Sequence, residues 1–317
     1  MTMIRNLLAC MGVLLAAGCA TTPSSAPSFA PSSSSAPQAS EPRVAVMSAF
    51  APELALLQAK VAGARRQTFN GVEFTTGTLE GKPVVLFLSG ISMVNASMNT
   101  QLALDRFHVT HIVFTGIAGG VDPNLRIGDV VVADQWSEYL EALFAREVAP
   151  GRFVPPSHQT DVKLPNFGMI HPRPVEVRST GHADAEKKVW FDVDPQLIAV
   201  ARRAVAAVKL ERCDAERQCL EHQPSVVVGG HGVSGQAFVD NAAFREYTFR
   251  TFHASVLDME SAAVAHVAYS NGVPFIAFRS LSDLAGGGEG ENQIKTFFRV
   301  AADNSARVLL AFLAAWK

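Results

Sequence analysis

From Arg43 onward the chain alternates short, continuous apolar runs with amphipathic stretches, and that rhythm admits few folds. The runs are VAVMS (44–48), VVLFL (84–88), HIVFTG (111–116), DVVVA (129–133), SVVVG (225–229) and PFIAFRS (274–280). Between them, residues 52–62, 93–106, 195–208, 241–251, 259–271 and 292–315 read as helices. Strands that are apolar on both faces belong in a sheet covered on both sides, so the alternation predicts an α/β layer structure. With 317 residues, 48% of them hydrophobic and 18% charged, the chain can bury a substantial core. The segment from about 137 to 224, rich in Pro, His and charge, interrupts the rhythm and reads as an elaboration on that core.

A formal charge of -2 and the lack of any dense Lys/Arg run leave no field to attract nucleic acid or an anionic membrane surface. A small-molecule partner is expected instead. Residues 1–19, MTMIRNLLACMGVLLAAGC, carry one Arg, a short apolar run and then small residues, which is the pattern of an export signal. The run is too short to remain as a membrane-spanning helix, and AAGC resembles a bacterial lipoprotein cleavage box that would make Cys19 the lipidated first residue of the mature chain. Residues 20–42 are almost wholly Ser, Pro, Ala and Thr and read as a tether. The expectation is a periplasmic domain, residues 43–317, held to the outer membrane only through a lipid anchor. Export places Cys213 and Cys219 in an oxidising compartment, where a local disulfide is expected. No His/Cys cluster has zinc-ligand spacing, so neither metal nor cofactor is expected.

Polar residues cluster just after the candidate strands: Ser48 with Glu53, Ser89-Gly90, Thr115-Gly116 with Gly119-Gly120, and Arg279 with Ser282-Asp283. Ligands of open α/β sheets bind beyond the carboxyl ends of the strands, so these clusters can converge on one pocket. Asp258 and Glu260, in VLDMESAAVAHVA (256–268), sit at the mouth of an apolar helix, where acidic residues meet unpaired N–H groups and the positive end of the dipole.

Four stretches together carry a resemblance: VAVMSAFAPELALL (44–57), LSGISMVNASMNTQLAL (88–104), VFTGIAGGVDPNLRIGDVVVAD (113–134), and SGQAFVD (234–240) with VLDMESAAVAHVAYSNGVPFIAFRSLSD (256–283). In order and spacing they resemble the nucleoside phosphorylase and nucleosidase superfamily, and within it the methylthioadenosine/S-adenosylhomocysteine nucleosidases. The resemblance implies a three-layer α/β/α sandwich with a central twisted mixed sheet, a purine nucleoside as ligand, and a homodimer or higher homo-oligomer. It implies cleavage of the N-glycosidic bond, which needs an acid for the departing base, support for a cation-like sugar, and a nucleophile.

By resemblance, Asp283 is the acid that protonates the purine, oriented by Arg279 and Ser282. Glu53 orients or deprotonates the attacking water, and Pro52 suits the start of its helix. Glu260 accepts both vicinal ribose hydroxyls, as one carboxylate can, and Met259 packs on the sugar. Asp258 is then left as a helix-start residue pointing elsewhere. Phe238 stacks on the base, although a Phe is also an ordinary core residue. Phe50, Ile91, Ala118, Gly119 and Val239 complete the implied ligand contacts, with Arg279 and Ser282 counted among them. Ile117 stands where the family often has Ser. Trp136 and Tyr139 are read either as lining the pocket mouth or as a hydrophobic lid or interface, and His231 and His266 as structural.

Hydrolysis, phosphorolysis and simple binding remain to be separated. A phosphorylase holds phosphate with Arg side chains and an anion-binding Gly-rich turn, whereas the loops SAFAPE and SGISMVN offer neither an Arg nor that turn. Plant storage proteins also look like this family, but loss of catalysis is expected to show as loss of Glu53 or Asp283, and both are present.

Overall fold

A computed structural model describes residues 41–159, 161, 163–206, 208–288 and 290–317. The expected leader, Cys19 and all but the last two residues of the tether lie outside the described residues. The strands of the main sheet are β1 (Arg43–Ser48), β2 (Ala62–Phe69), β3 (Val72–Leu79), β4 (Lys82–Leu88), β5 (Val109–Gly120), β6 (Val130–Val132), β7 (Gln135–Ser137), β8 (Phe191–Asp192), β9 (Val226–Val228), β10 (His231–Ser234), β11 (Ala254–Asp258) and β12 (Phe275–Asp283). The helices are α1 (Ala51–Gln58), α2 (Met93–Arg106), α3 (Pro195–Val205), α4 (Ala242–Phe252), α5 (Ser261–Asn271) and α6 (Ile294–Ala315).

Strand β5 organises the sheet. It runs parallel to β1 and to β12, and β4 lies parallel on the far side of β1. The carboxyl ends of these four strands therefore open on one side. The last two residues of β5 pair antiparallel with β11, Gly119 with Leu257 and Gly120 with Val256, which brings Asp258 at the end of β11 to the same place. Pairing of both senses makes the sheet mixed, and the helices cover it: α6 packs on α1 and α3, and α2 on α5. The α/β class expected from the alternation is the class observed.

Most of the aliphatic runs read as strands are buried: Val46, Met47, Val113, Phe114, Ile276 and Phe278 are fully enclosed, and α6 lays Val308, Leu309 and Phe312 over them, whereas Val226–Val228 is half-buried with Val227 exposed. Helix starts follow local chemistry. The Asp194 side chain accepts the N–H groups of Gln196 and Leu197 ahead of α3, and Asn241 accepts that of Phe244 ahead of α4.

Several features differ from the sequence reading: β7, β8, β10 and β11 were not read as strands, and β11 ends at Asp258, which was read only as the start of a helix. Helix α1 stops at Gln58, and the chain turns into β2, an edge strand exposed almost throughout, and its partner β3. Neither has a buried apolar run; Arg65 and Arg66 on the edge strand mark it instead as an edge protected against further pairing. The elaboration is also narrower than 137–224. Ser137 and Phe191–Asp192 belong to the main sheet and α3 packs on α6, so three small two-stranded sheets between 142 and 188 stand apart from it. In the loop after α3, Cys213 and Cys219 are disulfide-bonded, and the adjacent Leu220 packs on Ile127 and Val300.

Candidate active site

Strand β1 delivers the chain to Ser48, and α1 begins three residues later with Pro52 in its first turn. That tight entry folds Glu53 back under the strand end, where it is 2% exposed. Its Oε2 accepts the N–H groups of Ala49 at 2.8 Å and Phe50 at 3.2 Å, and its Oε1 accepts that of Ile117 at 2.8 Å. A solvated first-turn carboxylate has no such partners. Burial holds the proton affinity of Glu53 above the usual carboxylate range, against the opposing effects of Arg279 and the three amides. The approach depends on Gly116 of β5: a Cβ there would fall onto Arg279 Nη1 and within 2.6 Å of Glu53 Oε1.

Arg279 is not where the sequence reading put it. It lies wholly buried, outside the cavity lining, and reaches away from Asp283. Its Nε is 2.7 Å from Asp258 Oδ2 and 2.9 Å from Ser261 Oγ, its Nη2 is 3.6 Å from Glu260 Oε2, and its plane lies over the Phe114 ring. On β5 Arg279 pairs with Gly116 and Asp283 with Gly119, with a register shift after Leu281, so the two residues lie well separated along the strand. Asp258 is correspondingly more than a helix-start residue. It accepts the N–H groups of Glu260 and Ser261, the hydroxyls of Ser234 and Ser261, and the Arg279 charge, and it also borders the cavity.

Glu260 sits between β11 and α5 at the N-cap position and turns its side chain across the site. Its Oε1 accepts the Ser92 N–H at 2.8 Å. Ser92 adopts φ 78° and ψ 159°, a region that L-residues rarely occupy. Such a backbone costs about 1–3 kcal/mol and persists only where surroundings enforce it; here the carboxylate of Glu260 holds the amide. Burial pushes the Glu260 carboxyl up to about 7; Arg279 opposes this and Asp258 adds to it.

Asp283 ends β12, 4% exposed. Its Oδ1 accepts the N–H of Ala285 at 2.8 Å and the side-chain amide of Asn292 at 3.3 Å, and its Oδ2 lies 2.9 Å from Ser282 Oγ. Burial raises its proton affinity; these hydrogen bonds oppose the rise and Asp240 reinforces it. Ser282 and Asn292 thus contact the Asp283 carboxyl, and Arg279 does not.

One cavity of about 250 Å³ joins these groups. Glu53, Glu260 and Asp283 border it, as do Phe50, Ile91, Ala118, Gly119, Val239, Met259 and Ser282. Phe238 also borders it and is 56% exposed, which removes the core reading. Ala49, Ala237, Leu257 and Ile294 line it too and were not read from the sequence; Ile294 opens α6 after a Gly-rich loop, and no local signal marks it. Ile117 presents an apolar side chain to the cavity while its amide serves Glu53. Trp136 and Tyr139 do not reach the cavity mouth: Trp136 packs under Gly232, and Tyr139 lies against Phe244 and Phe252. His231 bridges Gln135 and the Phe252 carbonyl, and His266 pairs with Glu138 and stacks on Phe191, both structural contacts.

Among the described residues no group of three or more His, Cys, Asp or Glu is placed to hold a metal ion. Among the described residues that line the cavity there is no Lys, Arg or His. Three carboxylates held at three different strand ends, each with a raised proton affinity, can give and take protons and stabilise positive charge developing between them.

Residues 43–314 match the model of the phosphorylase superfamily. The chain is 34% identical over 275 residues to a 5'-methylthioadenosine/S-adenosylhomocysteine nucleosidase of Lysinibacillus sphaericus, covering 86% of this chain and 99% of that one. It is 31% identical over 271 residues to the nucleosidase of the same description from a Marinomonas strain, covering 85% and 97%. The nucleosidase of Neisseria meningitidis in complex with methylthio-immucillin-A superposes with a TM-score of 0.63 at 25% identity, over 86% of this chain and 99% of that one.

Proposed function

Because the chain belongs to the phosphorylase superfamily, we propose that it is a purine-nucleoside N-ribohydrolase, with 5'-methylthioadenosine, S-adenosylhomocysteine or a close relative as substrate. The observation that carries this reading is the single cavity in which Glu53, Glu260, Asp283 and Phe238 meet without a lining cation. The base stacks on Phe238, and Asp283, whose proton affinity burial raises, gives its proton to the purine as the bond breaks. Glu260 takes the two ribose hydroxyls, and its anchoring on Ser92 fixes it in place before substrate arrives. Glu53, fixed by three amides, orients water and accepts its proton as the sugar cation is attacked. The Asp258–Arg279 pair beneath them neutralises part of the charge that three neighbouring carboxylates would otherwise bring together.

Phosphorolysis would need a bound dianion, and an anion in a cavity walled by carboxylates has nothing to pair with. The test is direct. Purified protein is incubated with methylthioadenosine, adenosine and inosine, each with and without phosphate. Free base released without phosphate supports hydrolysis; ribose 1-phosphate appearing only with phosphate means a phosphorylase; tight binding without turnover means a binding protein.

Two finer readings accompany this one. Ile91 at the cavity rim and Val94 and Met98 on α2 are exposed apolar side chains, one helical turn apart along α2. A second copy of the chain covering them would close the cavity, and sedimentation of the purified protein as a dimer is the expected result. The leader and the Ser/Pro/Ala-rich tether support export and anchoring through a lipidated Cys19; a Cys19→Ser substitution is expected to release the protein from the membrane fraction.

A further inference from the structure

Asn292 lies just ahead of α6, and no role for it was read from the sequence. Its side chain connects three elements. The carbonyl Oδ1 accepts the Ile294 N–H at 3.0 Å, which orients the amide group, because only an oxygen can face that donor. The Nδ2 is thereby turned toward two carboxylates, Asp283 Oδ1 at 3.3 Å and Asp240 Oδ1 at 3.0 Å. Asp283 Oδ1 also receives the Ala285 N–H, so both of its neighbours are obligate donors. Asp283 Oδ2 has a different neighbour: the Ser282 hydroxyl, which can rotate to donate to a carboxylate or to accept from a carboxylic acid.

We propose that Asn292 is a positioning residue that decides which oxygen of Asp283 carries the transferable proton. Two N–H groups aimed at Oδ1 exclude a hydrogen there, so the proton resides on Oδ2, beside Ser282, and both residues border the cavity. When the glycosidic bond breaks, the Oδ2–H bond breaks with it; its proton goes to the purine, the bonding pair stays on Asp283, and Asn292 and Ala285 are already in place to hold the carboxylate that results. Asp240, on the exposed side of the same amide, draws part of its donor capacity and repels that carboxylate. Asn292 and Asp240 thus act on Asp283 in opposite senses. Among the described charged residues of this region, Arg245 of α4 donates to the Gly120 carbonyl, and Glu291 and Lys295 on either side of Asn292 are exposed.

The proposal rests on the hydrolase reading and on Asp283 as its acid, and the experiment separates the two. The pH dependence of kcat/KM is measured for the wild-type chain, Asn292→Ala and Asp240→Asn, with a purine nucleoside and with 4-nitrophenyl riboside, whose leaving group needs no proton. For the purine nucleoside the alkaline limb reports loss of the acid's proton. It is expected to move up in Asn292→Ala and down in Asp240→Asn, each on the order of half a pH unit or more. The kcat of Asn292→Ala falls about tenfold or more with a smaller change in KM, since the proton is no longer confined to one oxygen. Turnover of the nitrophenyl riboside stays within about twofold in both variants, which a general loosening of the site would not allow. Limbs that stay in place, limbs that move the same way, or equal losses on both substrates overturn the role of Asn292. No release of base from any nucleoside by the wild-type chain overturns the hydrolase reading instead.

Discussion

Arg279 Nε lies 2.7 Å from Asp258 Oδ2, and both side chains are shut off from solvent. The pair lies under the cavity and is its structural floor. Removing one partner of a buried ion pair leaves an uncompensated charge and costs about 3–5 kcal/mol. Arg279→Met is therefore expected to lower unfolding stability by that order, read from the urea midpoint at constant slope. A change under about 0.5 kcal/mol would mean that the serine hydroxyls and amides around Asp258 carry it unaided.

Gly116 has room for hydrogen only. A methyl group there must displace either the Arg279 guanidinium or the Glu53 carboxylate, and overpacking of this kind costs about 1–3 kcal/mol. Gly116→Ala is expected to keep the fold and lose activity by about a hundredfold, because a displacement near 1 Å in a catalytic group suffices for that loss. Retained activity would show that Glu53 tolerates the shift and is not held to its position.

Glu260 links the site to stability through pH. Its folded proton affinity is raised to about 7 from 4.5, so the unfolded chain gives up the proton first as pH rises. The contribution to stability is thus complete below about pH 4.5, is lost between there and pH 7, and stays lost above. Glu260→Gln keeps an acceptor for Ser92 without the charge. It is expected to match the wild type near pH 4 and exceed it by about 1–3 kcal/mol at pH 8, while losing turnover. Parallel stability curves across that range would contradict the assignment.

Asp283→Asn and Glu53→Gln remove an acid and a base while keeping their shapes. Each is expected to lower kcat by about 10²–10⁴ with the purine nucleoside. They differ on 4-nitrophenyl riboside, where Asp283→Asn retains turnover and Glu53→Gln does not. Equal losses on both substrates would sink the division of labour between the two carboxylates.

Phe238 borders the cavity and is more than half exposed. Phe238→Leu preserves bulk and loses the stacking surface, so KM is expected to rise about tenfold with stability unchanged, aromatic contacts being worth about 0.5–1.5 kcal/mol beyond area. An unchanged KM would return the ring to a merely structural role.

The sequence alone determined the layers and the chemistry-bearing residues. Continuous β-branched runs alternating with amphipathic ones require a covered sheet whatever their order in space, because hydrophobic periodicity is local. Glu53, Glu260, Phe238 and Asp283 were legible because each lies in a motif that resembles the family; the strands ahead of Phe238 and Glu260 were not. Tertiary structure alone decided the pairings. Glu260 meets the Ser92 amide across 168 residues, and Ile117 meets Glu53 across 64. Arg279 turned to Asp258 rather than to Asp283 because the register of β12 on β5 sets it beside Gly116, three pairs before Asp283 meets Gly119. Asn292 and Ile294 gave no signal, since their place depends on how a glycine-rich loop returns α6 to the strand ends. Strands β2 and β3 stayed hidden for a related reason: a solvent-facing edge needs no apolar run, and only its neighbour across the sheet makes it a strand.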